Sequence, residues 1–124
     1  MSLSFENLSE KVIAWANEKG IIESSNPIKQ LSKTQEELDE TLYALRKIED
    51  LEENGQFEFL DKEELKLKYM EEVKDGIGDM LVTIIILAEL NNLRSEDCLD
   101  YAYQEIKNRK GEMVDGLFVK EQNL

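Results

Sequence analysis

Apolar residues recur every three or four positions along most of the chain, which is the spacing of amphipathic helices. With one proline and six glycines in 124 residues, turn signals are few, and each one separates two long segments. Asn26 suits a helix cap and Pro27 a first helical position, whereas Gly20 suits a helix end. The pattern predicts four helices, over about residues 4–19, 27–53, 61–93 and 95–110.

The four helices indicate an all-α fold, a four-helix-bundle-like single domain that spans all 124 residues. Ser95 suits the N-cap of the fourth helix, and Gly76 and Gly78 allow the third helix to bend. The tail that begins at Gly111 is expected to be irregular, with a short extended piece over residues 117–119.

Charge and composition narrow the classes of function. The formal net charge is −13, from 28 acidic and 15 basic residues, which disfavours binding to nucleic acid or to anionic membranes. The most apolar run, Met80–Ala88, is far shorter than the ~20 residues that span a bilayer, so we expect a buried helix there. Cys98 is the single cysteine, and the N-terminus lacks a signal-peptide pattern; both features indicate the cytoplasm.

Acidic residues interrupt the apolar pattern of the second helix. One stripe of that helix comprises Glu37, Glu40, Ala44, Ile48 and Leu51, and another comprises Ile28, Leu31, Leu38, Leu42 and Leu45. Glu36 lies beside the first stripe, four residues before Glu40, and such a like-charge pair destabilises an isolated helix by roughly 0.2–0.5 kcal/mol. Lys33 can neutralise Glu37, which follows it by four residues, but it cannot serve three acids.

The third helix repeats this arrangement. Glu72, Asp75 and Asp79 fall within a narrow arc that continues into Thr83 and Ile86. Burial of several carboxylates in one bundle is unfavourable without counter-charge, and a divalent cation would supply it. Oxygen ligands without thiolate or imidazole favour Mg²⁺ or Mn²⁺ over zinc. The candidate metal ligands are Glu36, Glu37, Glu40, Glu72, Asp75 and Asp79.

Two further properties bear on this prediction. The chain has no histidine, which excludes a Ser-His-Asp triad, the histidine-bearing zinc protease motifs and the Glu-x-x-His motif of di-iron bundles. In a chain that is 35% charged, however, acid pairs on helices also commonly belong to solvent-exposed faces. The acids could therefore be ligands or simply a soluble surface.

The segments KTQEELDE and DGIGDMLVTIIILAE resemble the MazG-like, all-α nucleoside triphosphate pyrophosphohydrolases of the short phage and bacterial type. The signature of that family is EExxE followed by ExxD on another helix. Glu36, Glu37 and Glu40 match the first part, and Asp79 matches the family aspartate. Similarity in WANEKGI, NPIKQLSK and EIKNRKG extends the resemblance over most of the chain.

One position departs from the family pattern. The family glutamate that precedes the aspartate by three residues falls on Gly76. The spacing ExxD occurs one turn upstream, as Glu72 and Asp75, on the same helix face as Asp79. Either of these two acids could replace the missing ligand.

The resemblance implies a MazG-type fold and an enzyme that uses Mg²⁺, or alternatively Mn²⁺, to hydrolyse (deoxy)nucleoside triphosphates to monophosphate and pyrophosphate. A role in removing unwanted nucleotides from the pool follows from it. The family also forms homodimers and homotetramers. In this chain Glu37 would accept a proton from the water that attacks the α-phosphate.

Several other residues are candidate substrate contacts. They are Trp15, Lys29, Gln30, Lys33, Lys107, Arg109 and Lys110. The last three could hold polyphosphate or a partner subunit, or could simply be cations that favour the C-terminal end of a helix. Trp15 could stack on a base, although its spacing in the first helix favours a core position.

Two alternatives to catalysis remain open. The chain could be a helical protein that exists to oligomerise and whose acids keep it soluble. It could also bind nucleotide as a regulator without turnover, since Gly76 would weaken a metal site. Both long helices carry more apolar surface than one bundle hides, notably at Ile84, Ile85 and Ile86, so a homodimer or homotetramer is expected.

Overall fold

The structure is a computed structural model that describes residues 3–54 and 61–124. Its helices are α1 (Phe5–Glu18), α2 (Ile21–Ser24), α3 (Pro27–Asn54), α4 (Lys62–Leu90) and α5 (Ser95–Ile106). They are followed by β1 (Gly111–Val114), β2 (Leu117–Lys120) and a 3-10 turn over Glu121–Asn123. The mostly helical class predicted from the sequence is therefore confirmed, with the addition of a small two-stranded sheet.

Polar side chains begin both long helices. Asn26 Oδ1 accepts a hydrogen bond from the backbone N–H of Lys29 at 3.0 Å, and Pro27 is the first residue of α3, as predicted. Asp61 Oδ1 likewise accepts from the backbone N–H of Glu63 at 3.0 Å and caps α4. These caps satisfy backbone donors that have no partner within the helix, so the local sequence fixes where each helix starts.

The pairing of α3 with α4 dominates the described part of the chain, and α1 packs on α4 and α5. The two long helices are antiparallel, because Gln30 contacts Thr83 whereas Thr41 contacts Gly76. The buried residues of α3 are Gln30, Glu37, Thr41, Ala44 and Leu51. Four of them repeat every seven residues, the spacing that keeps one helix face against a partner. Of the acids in the predicted stripe, Glu37 is therefore buried, whereas Glu40 is exposed. Glu72 and Asp75 of α4 are also exposed, so the expectation that the acids are buried inside the bundle is wrong for these three.

The other stripe of α3 is exposed. It contains Ile28, Leu31, Leu38, Leu42 and Leu45. On α4 the apolar run divides in the same way, because Ile85 and Ile86 are buried whereas Leu81 and Ile84 are nearly half exposed. The expectation of a fully buried helix over this run is wrong for its outward face. No helix in the described ranges is both long enough and apolar enough to cross a bilayer.

The C-terminal region differs from the sequence prediction. Helix α5 ends at Ile106 instead of about residue 110, and β1 and β2 then form an antiparallel hairpin in which Val114 pairs with Leu117. The two turn residues, Asp115 and Gly116, have φ values of 50° and 82°. An Asp-Gly pair favours this turn because both residues need positive φ. The expected extended piece over residues 117–119 is confirmed as part of β2, whereas its pairing with β1 was not predicted.

Three smaller points of the prediction also change. The structure adds the short helix α2 between α1 and α3. Helix α4 continues through Gly76 and Gly78 as one α-helix. Ser95 is the first residue of α5 instead of its cap; its hydroxyl lies 3.0 Å from the Ser9 hydroxyl in a buried contact that joins α1 to α5.

Candidate metal centre

An acidic cavity of about 430 Å³ lies between α3 and α4. Its lining consists of Asp39, Glu40, Thr41 and Tyr43 from α3 and of Glu72, Asp75, Gly76 and Asp79 from α4. This volume is within the range of small-molecule sites. Four of the predicted ligands meet here because the antiparallel pairing brings the two acidic stretches side by side. Sequence reasoning missed Asp39 and Tyr43, although both lie within one helical turn of Glu40.

Glu37 is the most buried of the candidate ligands. Its residue surface is 8% exposed, and its Oε1 lies 3.6 Å from Lys33 Nζ. Its Oε2 is buried and has no hydrogen-bond partner among the residues that the structure describes. A buried polar atom without a partner is unfavourable, by about 1–3 kcal/mol for a neutral group and more for a charged one. The unpartnered carboxylate oxygen keeps Glu37 a candidate ligand-binding residue.

Asp79 connects this buried carboxylate to the cavity. Burial raises the pKa of Asp79, and the negative charges of Asp75 and Glu37 raise it further, whereas Lys33 lowers it. The side chain of Asp79 therefore feels acids from both helices. Such a convergence of like charges is typical of sites where a cation or a proton has a function.

Lys33 and Glu36 form the outer side of this region. Lys33 Nζ lies 3.3 Å from Glu36 Oε2, and Glu36, followed by Glu37, raises the pKa of the ammonium group. The Glu36 side chain is mostly exposed and is not among the residues described as lining the cavity. Glu36 thus shares Lys33 with Glu37 but does not line the cavity with the other acids, and its role as a ligand stays a prediction.

A buried polar seam fixes α3 against α4 beside the cavity. Gln30 Nε2 donates to the backbone oxygen of Thr83 at 3.1 Å, and Thr34 Oγ1 donates to Thr83 Oγ1 at 2.8 Å. The Thr83 hydroxyl in turn donates to the carbonyl oxygen of Met80 at 2.7 Å. Gln30 was predicted as a substrate contact, but its buried amide is engaged in joining the helices. Gln30 therefore joins α3 to α4, and its role as a substrate contact stays a prediction.

Gly76 lies against Thr41 where the two long helices meet. A Cβ on Gly76 would lie 2.2 Å from Thr41 Oγ1, so a side chain at this position requires Thr41 to shift. The Thr41 hydroxyl donates to the backbone oxygen of Glu37 at 2.8 Å, and such a shift would disturb this hydrogen bond. Glu72 and Asp75 both line the cavity, so both stay candidates for the carboxylate that the resemblance expects at position 76.

The remaining predicted substrate contacts lie elsewhere. Trp15 is 46% exposed, so the expectation of a core position is wrong, and it is not part of the described cavity lining. Lys29 is exposed near the start of α3. The basic residues Lys107, Arg109 and Lys110 are exposed between α5 and β1, beyond the described cavity lining. Lys107 Nζ donates to Gln104 Oε1 of the preceding turn, as a simple helix-end cation would.

The chemistry of the donor atoms fits a hard cation, but the donor atoms that the structure describes do not lie close enough together to coordinate one. Within the described residues, no three acidic or thiol side chains are grouped closely enough to hold a metal ion. Like-charged carboxylates repel one another and so lie spread over the cavity walls. The available donors are carboxylate and hydroxyl oxygens, which suit Mg²⁺. The fit rests on this chemistry and on the unpartnered Glu37 Oε2.

Comparisons of the chain with protein-family models, with curated proteins and with solved structures find no match. The class of protein that fold and site define is thus a mostly helical one with an acidic cavity between two long helices. The MazG-like resemblance of the motifs remains a prediction.

Proposed function

We propose that this chain is a Mg²⁺-dependent nucleoside triphosphate pyrophosphohydrolase of the MazG-like type, which cleaves (deoxy)nucleoside triphosphates to monophosphate and pyrophosphate. One observation carries the proposal. Glu37 holds a buried carboxylate oxygen without a described partner, and its charge acts on Asp79, which lines an acidic cavity of ligand size, although Glu37 itself is not among the described lining residues. A merely solubilising acid would face water, where its oxygens are hydrated at no cost.

The sign of the charges requires a cation. A triphosphate entering this cavity would be repelled by five carboxylates. A bound Mg²⁺ would supply the positive charge that offsets this repulsion and would stabilise the charge that develops on the phosphate oxygens. Glu40 from α3 and Asp79 from α4, with Glu72 or Asp75, would hold the ion. Because these residues lie on two packed helices instead of loops, their backbones are fixed before the substrate arrives.

Glu37 is the proposed general base. Lys33 lies close to its Oε1, whereas Oε2 is free to accept a proton from the water that attacks the α-phosphate. The hydrogen bond from Thr41 to the backbone of Glu37 and the nearby polar seam fix the helix turn that carries this carboxylate. Lys33 thus orients Glu37 instead of contacting substrate, which revises its predicted role within this proposal.

Each alternative has one observation in its favour. The exposed apolar stripe of α3 favours a protein that functions by helical association. The absence of a side chain at Gly76, in the cavity wall, favours a regulator that binds nucleotide without turnover. The association protein gives no reason for the unpartnered oxygen of the buried Glu37, whereas the regulator differs from the enzyme only in the absence of turnover.

Product analysis separates the three functions. The full chain is incubated with a panel of ordinary and modified nucleoside triphosphates, with Mg²⁺ or with a chelator, and pyrophosphate is measured. The enzyme yields monophosphate and pyrophosphate only with Mg²⁺, and oxygen from isotopically labelled water is found on the monophosphate. Label confined to pyrophosphate contradicts attack at the α-phosphate. Binding without product supports the regulator, and no binding supports the association protein.

A further inference from the structure

The acidic cavity has one aromatic side chain among its described lining residues, that of Tyr43. Tyr43 lies on α3 one turn after Glu40, and its residue surface is 61% exposed. An aromatic ring carries a large apolar surface that is usually covered in a folded protein. A largely exposed aromatic residue that lines a ligand-sized cavity is therefore a candidate contact for a flat apolar group.

A cation lies over the ring. Lys47 Nζ, one further turn along α3, lies 5.1 Å from the ring centroid, within the distance of a cation–π contact. More than half of the Tyr43 surface is exposed despite this contact, so the residue keeps area on which a ligand can stack.

The other described residues of the cavity wall offer no second surface on which a nucleobase could stack. Besides Tyr43, the described lining consists of five carboxylate residues, Thr41 and Gly76. The carboxylate residues suit the cation and phosphate end of a nucleotide, but they offer no flat apolar surface. A nucleobase has such a surface on both faces. It stacks on aromatic side chains whichever hydrogen-bonding groups its edge carries.

We propose that Tyr43 is the residue on which the nucleobase of the substrate stacks, while the carboxylate residues of the same cavity bind the cation and the phosphates. The inference rests on the proposed function, since it assigns the base-contacting residue of the same site. It implies a binding preference for base-bearing triphosphates over inorganic triphosphate and a broad tolerance among bases, because the ring reads no hydrogen-bond pattern.

The test compares Tyr43→Leu, Tyr43→Phe and the wild-type chain. KM for a nucleoside triphosphate is measured for each, together with the inhibition constant of inorganic triphosphate, which has no base. Loss of one base stack raises KM by about tenfold in Tyr43→Leu. Tyr43→Phe keeps the ring and retains the wild-type KM. The inhibition constant of inorganic triphosphate stays the same in all three proteins.

Two controls exclude indirect effects. Tyr101→Leu removes an exposed tyrosine from α5, outside the described cavity lining, and leaves KM unchanged. Melting temperature and light-scattering mass are measured for every variant. An unchanged KM in Tyr43→Leu overturns the inference, and so does a parallel rise in the inhibition constant of inorganic triphosphate or a change in assembly.

Failure of the proposed function has a different signature. If the wild-type chain turns over no nucleotide, the proposed enzyme is wrong, and the same variants are compared by calorimetric binding of a Mg²⁺–nucleotide. Weaker binding in Tyr43→Leu than in Tyr43→Phe then still supports stacking. Equal binding in the two variants, or no binding to the wild-type chain, overturns it.

Discussion

Thr41 Oγ1 occupies the place into which a side chain on Gly76 would extend, with only 2.2 Å between that hydroxyl oxygen and an ideal Cβ. Both residues are buried at the α3–α4 contact, and both line the acidic cavity. The close approach brings the backbone of Glu37 and the acids of α4 together, since the Thr41 hydroxyl also donates to the Glu37 carbonyl. A glycine at this position therefore determines the width of the candidate site.

Gly76→Ala should destabilise the protein by about 1–3 kcal/mol, because the new methyl group overpacks the helix contact. Urea unfolding measures the change. Removal of the opposing hydroxyl relieves the clash, so Gly76→Ala should cost less in a Thr41→Ala background than alone. Gly78→Ala is the matched control, since a Cβ there meets nothing within 4 Å among the described atoms. Equal effects at the two glycines would contradict the packing argument.

Glu37→Gln should lower turnover by roughly 10² to 10⁴, the usual loss on removal of a general base. The amide keeps the shape of the side chain and removes one charge from a crowded acidic region, so the metal-free protein should lose little stability. Steady-state kinetics and a melting curve test both parts. Glu49→Gln, at an exposed acid of the same helix, should leave the rate unchanged. Full activity in Glu37→Gln would remove this residue from the mechanism.

Millimolar Mg²⁺ or Mn²⁺ should raise the melting temperature, because a cation that binds the folded carboxylates stabilises the native state by mass action. Glu40→Gln and Asp79→Asn each remove one predicted ligand and should reduce that rise. Glu71→Gln, an exposed neighbour of Glu72 that is not part of the described cavity lining, should respond like the wild type. If all four proteins respond alike, the proposed ligand set is wrong.

Asp79 should make metal-free stability fall as pH rises. Its pKa is raised in the folded protein above the ordinary value of 3.8, so the native state binds this proton more tightly than the unfolded chain. The loss of folding stability caused by ionised Asp79 is absent at pH values below its pKa in the unfolded chain. It is complete at pH values above its pKa in the folded protein. Asp79→Asn removes it, so the stability advantage of the variant should grow with pH through this window and then stay constant.

Urea unfolding in chelator at several pH values checks this expectation. Glu49→Gln serves as the exposed control and should not show the same trend. A stability advantage of Asp79→Asn that shrinks as pH rises would contradict the assigned sign.

The exposed stripe of α3 should mediate self-association. We expect a homodimer or homotetramer, because an uncovered apolar helix face favours burial against another surface. Light scattering at micromolar concentration measures the mass. Leu38→Ser combined with Leu42→Ser should lower it, whereas Leu67→Ser, at an exposed position of α4 outside this stripe, should not. A monomeric wild-type chain would refute the expectation.

The C-terminal hairpin shows one limit of the sequence prediction. The sequence predicted an extended piece over residues 117–119 but not the strand β1 that pairs with it, although the Asp115-Gly116 turn favours strand pairing of the residues on both sides of it. A hairpin forms only when two separate segments pair. A short stretch of sequence therefore predicts a hairpin less clearly than the regular spacing of apolar residues predicts a helix. The same reasoning explains why the bounds of α3 and α4 were predicted within a few residues: their caps and their periodicity are local.

The sequence by itself determined that the chain is mostly helical and that two long helices each carry an acidic group, because helix caps and periodicity depend only on neighbouring residues. The tertiary structure decided which stripe of α3 meets α4. The sequence offers two stripes of α3 that could pack against α4. The stripe that is buried allows the hydrogen bond between Thr34 and Thr83 and the close approach at Gly76. That choice buries Glu37, exposes Glu36 and places Tyr43 in the cavity wall, since residues on different faces of one helix meet different surroundings.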